Sequence, residues 1–334
     1  MSTKLTKKQP TSNKWKKIKK TLFNLIPVFI IAGGVFYYFF PAEYWLANHL
    51  KNNTPIERLS TPKDNSLDAK NVNSPEKTAI PDYGNENQLE ANAGNLFKAS
   101  QVDYVASGGI YVPKSGIRLP IYHGIGNYTM LKGAGEQYDT SIVTAGGKGN
   151  YVLASHRTPY QGYLFTELHR VGKGDEFYVV GSDTNMIYQY KVDWTEVVEP
   201  NQDSAIQQDE AKTTSETTEE TTSVKISELT SFAEKKKGAV SLTSKSDIDY
   251  NTGKETKTET TKTIISIDNK NQTAKIKETT IKTTNKYLCT LYTCTDNYAT
   301  HRLVVRSHLS AVIPAEEASQ ELLDVYSGWF SGTL

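Results

Sequence analysis

Apolar and polar residues alternate over short distances between about residue 101 and residue 206, and again after residue 286. Such runs, rich in β-branched and aromatic residues and separated by glycine and proline, are typical of β-strands. The predicted strands are 110–112, 117–122, 151–154, 177–180, 187–198, 287–293 and 303–305. Short helices are predicted at 129–133 and 165–171. About eight short strands with so little helix indicate an all-β fold that closes into a β-barrel.

A different pattern occupies the first hundred residues. Residues 1–20 contain eight lysines and no acidic residue, and the nineteen residues 22–40 are almost entirely apolar. About 20 apolar residues span a bilayer as a helix, and the lysines predict a cytoplasmic N-terminus. We expect a basic tail at 1–20, a transmembrane signal anchor at 21–40 and an extracellular stalk at 41–100. A cleaved signal peptide is the alternative, but its apolar core is shorter and ends at small residues.

A long polar segment interrupts the predicted barrel. Residues 207–285 are dominated by Thr, Lys, Glu and Ser, which predicts an insertion that is mostly disordered or extended. Within it, 261–267 and 273–281 partly alternate around the turn sequence 268–271, so a β-hairpin arm is predicted at 261–281. The catalytic domain is expected to cover 101–315, interrupted by this insertion and followed by a C-terminal tail at 316–334.

The net charge and the two cysteines limit the classes of function that the chain can have. With 38 basic and 37 acidic residues the net charge is +1, which argues against a nucleic-acid partner. The chain has two cysteines, Cys289 and Cys294. On one strand their Cα atoms would be roughly 16 Å apart, whereas a disulfide needs about 4.4–6.8 Å. We therefore expect no disulfide between them, and we expect Cys289 to be a small buried residue.

The remaining cysteine is a candidate nucleophile. Cys294 ends an apolar strand, and Arg302 opens the next β-branched run eight residues later. A cysteine beside a fixed guanidinium can react as a thiolate, and the guanidinium can neutralise the oxyanion that forms on the substrate. A histidine would serve as acid and base. His156, directly after the strand 151–154, is preferred over the other five, which are His49, His123, His169, His301 and His308. Without further information, a buried cysteine or a histidine at a strand end is more often structural.

A family resemblance changes that balance. Thr290-Leu291-Tyr292-Thr293-Cys294 matches the TLxTC signature of sortases, the membrane-anchored cysteine transpeptidases of Gram-positive bacteria. Arg302-Leu303-Val304-Val305 matches the R-x-x-V pattern that carries the family's arginine. Tyr151-Val152-Leu153-Ala154-Ser155-His156 resembles its histidine strand. The resemblance covers roughly 105–206 and 286–309.

The resemblance implies a sortase barrel and specific roles. Cys294 would attack the Thr–Gly bond of an LPxTG-like signal, His156 would act as general acid and base, and Arg302 would hold the substrate or oxyanion. Thr293 and Ser155 would line the substrate site. Arg306, which shares a face with Arg302 in a strand, is the rival for the arginine role. Arg157 is expected to contact solvent or an acidic loop.

The family also implies partners. Substrates would be surface proteins with LPxTG-type signals, and the acceptor would be a peptidoglycan precursor amine. No cofactor is expected, and calcium dependence stays open.

The N-terminal anchor and the absence of a C-terminal apolar segment resemble class A, although His301-Arg302 also occurs in the pilin-polymerising class C. A functional alternative to the transpeptidase is a membrane-tethered adhesion or scaffold protein that presents the inserted arm. A hydrolase, which cleaves the signal without transfer, is an intermediate possibility. The insertion falls where the family has a loop beside the signal groove, and it is either a tolerated excursion or an arm that reaches the cell wall, a partner or the groove.

Overall fold

The computed structural model describes residues 23, 25–35, 94–95, 98, 106–125, 127–137, 144–181, 185–199, 213–295 and 301–330. Eleven strands are found among them. They are β1 Gly108–Val112, β2 Ile117–His123, β3 Ala134–Glu136, β4 Gly149–Ala154, β5 Glu176–Gly181, β6 Met186–Val198, β7 Thr214–Lys225, β8 Val240–Asp249, β9 Lys254–Asp268, β10 Thr273–Cys294 and β11 Arg302–Pro314. The α-helices that follow residue 105 are Asn127–Lys132 and Gln320–Val325, and short 3-10 helices lie at Pro113–Ser115, Leu168–Arg170, Ile226–Glu228 and Ala315–Glu317.

Eight of these strands form a closed ring. Neighbours pair in the order β11, β6, β5, β1, β2, β3, β4 and β10, and β10 pairs with β11 to complete the circle. The predicted all-β architecture is therefore confirmed, with closure by eight strands. The short strand β3 has no counterpart among the predicted strands, because the three residues Ala-Gly-Glu have no alternating apolar pattern.

Alternate positions of every strand fill the inside of the ring. The main hydrophobic cluster takes side chains from all eight strands, including Ile110, Leu153, Leu291 and Val305, each of which is fully buried. Because successive side chains of a strand point to opposite faces, the residues between these positions face outward. Burial of this interior provides the largest favourable contribution to folding.

The polar insertion is an ordered, extended sheet, so the structure shows the second of the two predicted alternatives, disordered or extended. Strands β7, β10, β9 and β8 pair side by side and antiparallel, and we call residues 213–286 the arm. The predicted hairpin 261–281 lies within β9 and β10, but the paired region extends to Lys254 and Lys286. The Asp268 carboxylate accepts hydrogen bonds from the backbone N–H groups of Lys270 and Asn271 and so fixes the turn.

The arm persists as a sheet for two physical reasons that its composition hides. Threonine is a good strand former, and long antiparallel pairing satisfies the backbone of the central strands β9 and β10 on both sides and of the edge strands β7 and β8 on one side. A small hydrophobic cluster also forms at its far end from Leu229, Phe232, Ile264, Ala274 and Ile276. These five apolar residues are scattered along the sequence, so no local window indicates a core.

One strand joins the arm to the ring. The first part of β10 pairs within the arm, and its last eight residues, 287–294, pair with β4 and β11. At the junction, Glu255 accepts hydrogen bonds from Asn285 at 2.7 Å and from Tyr287 at 3.2 Å, and it forms an ion pair with Lys148 at 2.9 Å. The arm is therefore attached both through the backbone of β10 and through a buried carboxylate.

The end of the chain is also packed, although 316–334 was predicted to be a tail. The helix Gln320–Val325 is capped by Ser319, whose hydroxyl accepts a hydrogen bond from the backbone N–H of Leu322. Trp329 and Phe330 are buried with residues of β5 and β6 in a second cluster, and the Trp329 indole donates to the Gly181 carbonyl at 2.9 Å. The C-terminal segment is short and rich in Glu, so its amphipathic spacing was too weak to predict that it packs against the ring.

The predicted anchor 21–40 lies partly outside the described residues. Of it, residues 25–35 are helical, and their apolar side chains are exposed. Within the residues that the structure describes, no helix combines the length and the apolarity needed to cross a bilayer. The predicted basic tail lies wholly outside the described residues, as does the predicted stalk except for residues 94, 95 and 98.

Candidate active site

Three neighbouring strands end at the same edge of the ring, and each carries one of the predicted catalytic residues. Cys294 is the last residue of β10, and Arg302, directly opposite it, is the first residue of β11. Strand β4 runs parallel to β10 with Ala154 opposite Tyr292, and Ser155 continues the pairing by donating its N–H to the Tyr292 carbonyl at 3.4 Å. His156 therefore reaches the level of Cys294, on the strand next to it.

The three side chains also share a face. Val152 and Ala154 of β4, Tyr292 of β10 and Val304 of β11 form a hydrophobic cluster outside the ring. His156, Cys294 and Arg302 are each two residues from a member of this cluster, so they point to the same outer side. All three are buried, with 6%, 5% and 0% of their surface exposed. The structure thus brings together the three residues that the sequence selected.

Burial and charge set the protonation of the histidine. Loss of hydration, and after it the positive charge of Arg302, lowers the pKa of His156 from 6.5 to about 4. The imidazole is therefore neutral at pH 7 and can accept a proton. Arg302 in turn donates a hydrogen bond from Nη1 to the His301 carbonyl at 3.2 Å, which holds its guanidinium beside the start of β11.

The residue after the cysteine is tied from two sides. The Thr295 N–H donates a hydrogen bond to the His301 carbonyl at 3.1 Å and so joins the two ends of the connection between β10 and β11. Residues 296–300 of this connection lie outside the described part. The Arg157 guanidinium donates to the Thr295 carbonyl. Arg157 was expected to contact solvent or an acidic loop, and this contact instead links the histidine segment to the cysteine segment. A sequence does not reveal which carbonyl a long side chain reaches.

Ser155 and Thr293 precede His156 and Cys294 in the chain, and their role in lining the substrate site stays a prediction. Ser155 is fully buried and donates its hydroxyl to the carbonyls of Gly133 at 2.6 Å and Met130 at 3.2 Å. Thr293 alternates with Cys294 and therefore points to the opposite face of β10, the side of Leu291. Ser155 anchors the end of the helix Asn127–Lys132 rather than contacting the outer face, because residues adjacent to a catalytic position in a strand point away from it.

The rival arginine is placed apart from the cysteine. Arg306 is opposite Thr290 and lies over the ring of Trp194, with 5.8 Å between its guanidinium carbon and the ring centroid. It shares the outer face with Arg302, as predicted, but four residues of extended strand separate the two by about 13 Å. Arg302 is therefore the arginine next to Cys294.

The other cysteine has no part in this arrangement. Cys289 is fully buried in the interior cluster, and both cysteines are free thiols, as the sequence predicted. Burial raises the pKa of Cys289 well above its ordinary value and keeps it a neutral thiol. Within the described residues, no group of three or more His, Cys, Asp or Glu side chains is arranged to hold a metal ion.

Comparisons with known proteins agree with this geometry. The family model of the sortase domain matches residues 110–224. Sortase A of Streptococcus agalactiae is 29% identical over 172 residues, which are 50% of this chain and 65% of that protein. Sortase A of Listeria monocytogenes is 27% identical over 164 residues, 49% of this chain and 62% of that protein. The chain thus matches less than two thirds of the length of these two relatives.

Solved structures give similar neighbours. Sortase A of Listeria monocytogenes aligns with a TM-score of 0.38 and 19% identity, covering 67% of this chain and 97% of that one. A pilus-related sortase C of Group B Streptococcus aligns with a TM-score of 0.38 and 20% identity, covering 73% and 84%. A cysteine, a histidine and an arginine at the end of three strands define a thiol-based site. The match of residues 110–224 to the sortase domain and the similarity to two sortase A proteins support the sortase family for this chain.

Proposed function

We propose that this protein is a cysteine transpeptidase that cleaves an LPxTG-like sorting signal between Thr and Gly and transfers the new carboxyl end to an amine. The observation that carries the proposal is the convergence of Cys294, His156 and Arg302 on one buried outer face. A nucleophile, a proton carrier and a fixed positive charge are the groups that acyl transfer through a thioester requires.

The chemistry follows from the protonation state. Neutral His156 takes the proton of Cys294 as the sulfur attacks the scissile carbonyl carbon. Arg302 faces the oxyanion of the resulting tetrahedral intermediate and lowers its energy. When the intermediate collapses, the C–N bond breaks, His156 gives its proton to the departing glycine amine, and a thioacyl enzyme remains. An incoming amine then attacks the thioester, His156 accepts its proton, and that proton returns to the sulfur as the C–S bond breaks.

The biological setting completes the proposal. The segment 21–40 would anchor the protein in the membrane with residues 1–20 in the cytoplasm and the ring outside. Surface proteins would be the substrates and a peptidoglycan precursor amine the acceptor. The N-terminal anchor favours the class A role. The chain requires no cofactor for the steps above, and turnover with and without a calcium chelator measures any calcium dependence.

The test uses the full-length protein in detergent with an LPxTG peptide and oligoglycine, followed by mass spectrometry. We expect a ligated product that is lost in Cys294→Ala and retained in Cys289→Ala, the matched cysteine inside the ring. We expect Arg302→Ala to lower kcat/KM by about 10²–10³ while iodoacetamide still alkylates Cys294, as for the loss of an oxyanion donor. Arg306→Ala should stay within severalfold of wild type.

Other outcomes distinguish the alternatives. Free carboxylate as the sole product with oligoglycine present would indicate a hydrolase. Ligation to a lysine-bearing pilin peptide in preference to oligoglycine would indicate a class C sortase. Neither cleavage nor a thioacyl adduct across a panel of sorting peptides would contradict the enzyme and favour a scaffold that presents the arm.

A further inference from the structure

The charge of the arm is concentrated at one end. We call residues 225–239 and 265–276 the arm tip, since they comprise the loops and strand ends farthest from the ring. The tip contains six lysines and three acidic residues: Lys225, Lys235, Lys236, Lys237, Lys270 and Lys275 against Glu228, Glu234 and Asp268. The rest of the arm contains seven lysines and eight acidic residues. A nearly neutral sheet therefore ends in a positively charged tip.

The lysines of the tip are accessible, although Lys236 pairs with Glu234, and several lysines of the sheet also pair with neighbouring carboxylates. All six tip lysines are exposed, and three of them, Lys235 to Lys237, are consecutive in one loop. In the sheet, Lys262 pairs with Glu278 at 2.9 Å and Lys277 with Glu219 at 2.8 Å. The positive potential at the tip is thus directed to solvent, where an anionic surface can meet it.

Most apolar residues of the tip pack into its own core. Leu229 and Phe232 are 1% and 6% exposed and pack with Ile264, Ala274 and Ile276. Ile265 in the tip is 37% exposed, and Val240 and Leu242 beside it are exposed as well. The tip therefore presents a folded, basic surface with a few apolar side chains at its edge. Clustered lysines attract such a surface to anionic lipid electrostatically.

Strand directions show where the tip points. Four antiparallel pairings separate β10 from β1 through β11, β6 and β5, so β1 and β10 run the same way, toward the Cys294 end. The chain consequently enters the ring, at Gly108, from the opposite end, and the arm extends from that end too. Fourteen paired residues of β10, Thr273–Lys286, give the arm a length of about 46 Å.

We propose that the arm tip binds the surface of an anionic lipid bilayer. The chain that carries the proposed anchor 21–40 enters the ring at the same end from which the arm projects its basic tip. Contact at the tip would hold the ring at a fixed height with the Cys294 end turned away from the lipid. The inference uses the proposed anchor but not the proposed transpeptidase activity.

The experiment compares hydrogen exchange of the full-length protein in two kinds of nanodisc. One contains phosphatidylcholine alone and the other contains about a third phosphatidylglycerol. We expect slower exchange in peptides from 225–239 and 265–276 with phosphatidylglycerol, and a loss of this protection in 0.5 M salt, because exposed charges are screened. Incorporation into both nanodiscs reports on the anchor separately, so a failed anchor and a failed tip contact give different results.

Two matched variants locate the effect. Lys235→Glu/Lys236→Glu/Lys237→Glu should abolish the protection and lower the affinity of the tip for the anionic surface by at least about a hundredfold. Lys245→Glu/Lys254→Glu/Lys282→Glu changes the net charge equally, at exposed lysines of the sheet, and should leave the protection intact. Unchanged exchange at Ile264 and Ile276 verifies that the tip core is folded in both variants.

Three outcomes would overturn the proposal. The first is equal exchange of the tip in the two nanodiscs, and the second is equal loss of protection in the two variants. The third is that phosphatidylglycerol does not protect the tip, while a soluble poly(glycerol phosphate) added to phosphatidylcholine nanodiscs does. The last result would assign the tip to an anionic cell-wall polymer.

Discussion

Arg302 and His156 share a buried face, and this environment determines the charge of the histidine. Burial removes the hydration that a charged imidazole needs, and the guanidinium, which is always protonated, adds to the cost of a second positive charge. His156 is consequently neutral until the pH falls to about 4. Neutral imidazole beside a thiol is ready to act as a base, which is the first role the proposed reaction requires.

The same effect makes the stability of the protein depend on pH. The pKa of His156 is about 4 in the folded state and 6.5 when unfolded, so the unfolded chain binds the proton more tightly. Stability is fully present above pH 6.5 and falls as the pH drops toward 4. Between pH 7 and pH 4, wild type should lose about 3 kcal/mol more unfolding free energy than His156→Gln, from a shift of about 2.5 units.

Urea unfolding of both proteins at pH 7, 5.5 and 4 measures this difference. His169→Gln is the matched control, since this histidine is exposed within the 3-10 helix Leu168–Arg170 and the variant should follow wild type. Equal pH profiles for wild type and His156→Gln would show that the imidazole is not held neutral by its surroundings.

Strand β10 is the element on which the molecule depends most. Its 22 residues serve first as a central strand of the arm and then as a wall of the ring, and it ends at Cys294. A close contact supports the change of partners. Gly253 has φ +60°, its carbonyl accepts from the Tyr287 N–H at 2.8 Å, and an added Cβ would lie 2.7 Å from Cβ of His308. Glycine is required here for both conformation and space.

Glu255 is the side chain that fastens the arm at this point. Burial acts to raise its pKa, but hydrogen bonds from Lys148, Ser246 and Asn285 outweigh it and lower the pKa from 4.5 to about 2. Glu255→Gln should therefore reduce the unfolding free energy at pH 7 by about 2 kcal/mol, the typical contribution of a hydrogen bond to a charged group. Chemical unfolding at pH 7 measures the loss.

The difference should shrink as the pH falls from 4.5 through 2, because a depressed carboxyl pKa stabilises the folded state only while the group is ionised. Glu259→Gln provides the control. Glu259 pairs with Lys257 on the surface of the arm, where ion pairs contribute about 0–1 kcal/mol. An equal effect of the two substitutions would indicate that the junction carboxylate has no special role.

The whole molecule combines a ring that carries the candidate active site at one end with an arm inserted at the other end. The two ends of the arm are adjacent, since the Thr213 hydroxyl donates to the Asn285 side-chain oxygen at 2.8 Å and Thr214 pairs with Thr284. An Asn-Gly turn, which suits a two-residue hairpin, could therefore replace residues 214–284. We expect the remaining ring to unfold cooperatively and its peptide transfer to stay within about threefold of wild type.

Thermal unfolding and the peptide ligation assay test this excision. The arm leaves the ring about 23 Å from Cys294, so its sheet does not line the catalytic face. Loss of cooperative unfolding in the excised protein would show that the arm is part of the ring's folding unit. Intact folding with lost transfer would instead assign the arm a role in substrate use.

The sequence alone determined the features that repeat locally or carry a specific pattern. Alternation of apolar residues predicted the all-β fold and most strands of the ring. The resemblance of the motifs around Cys294, Arg302 and His156 to those of sortases predicted the three residues that meet. The separation of Cys289 from Cys294 excluded their disulfide. Each of these depends on the period of a strand or on a short motif, which are properties of neighbouring residues.

Tertiary structure decided what depends on distant pairing. The order of the arm arises because four polar strands satisfy one another's backbones and five scattered apolar residues meet at the tip, and no local window contains that information. The inward position of Ser155 and Thr293, the reach of Arg157 to Thr295 and the packing of Trp329 on the ring also follow from contacts between remote segments. Closure of the ring, which places three strand ends side by side, is what turns the three candidate residues into a single site.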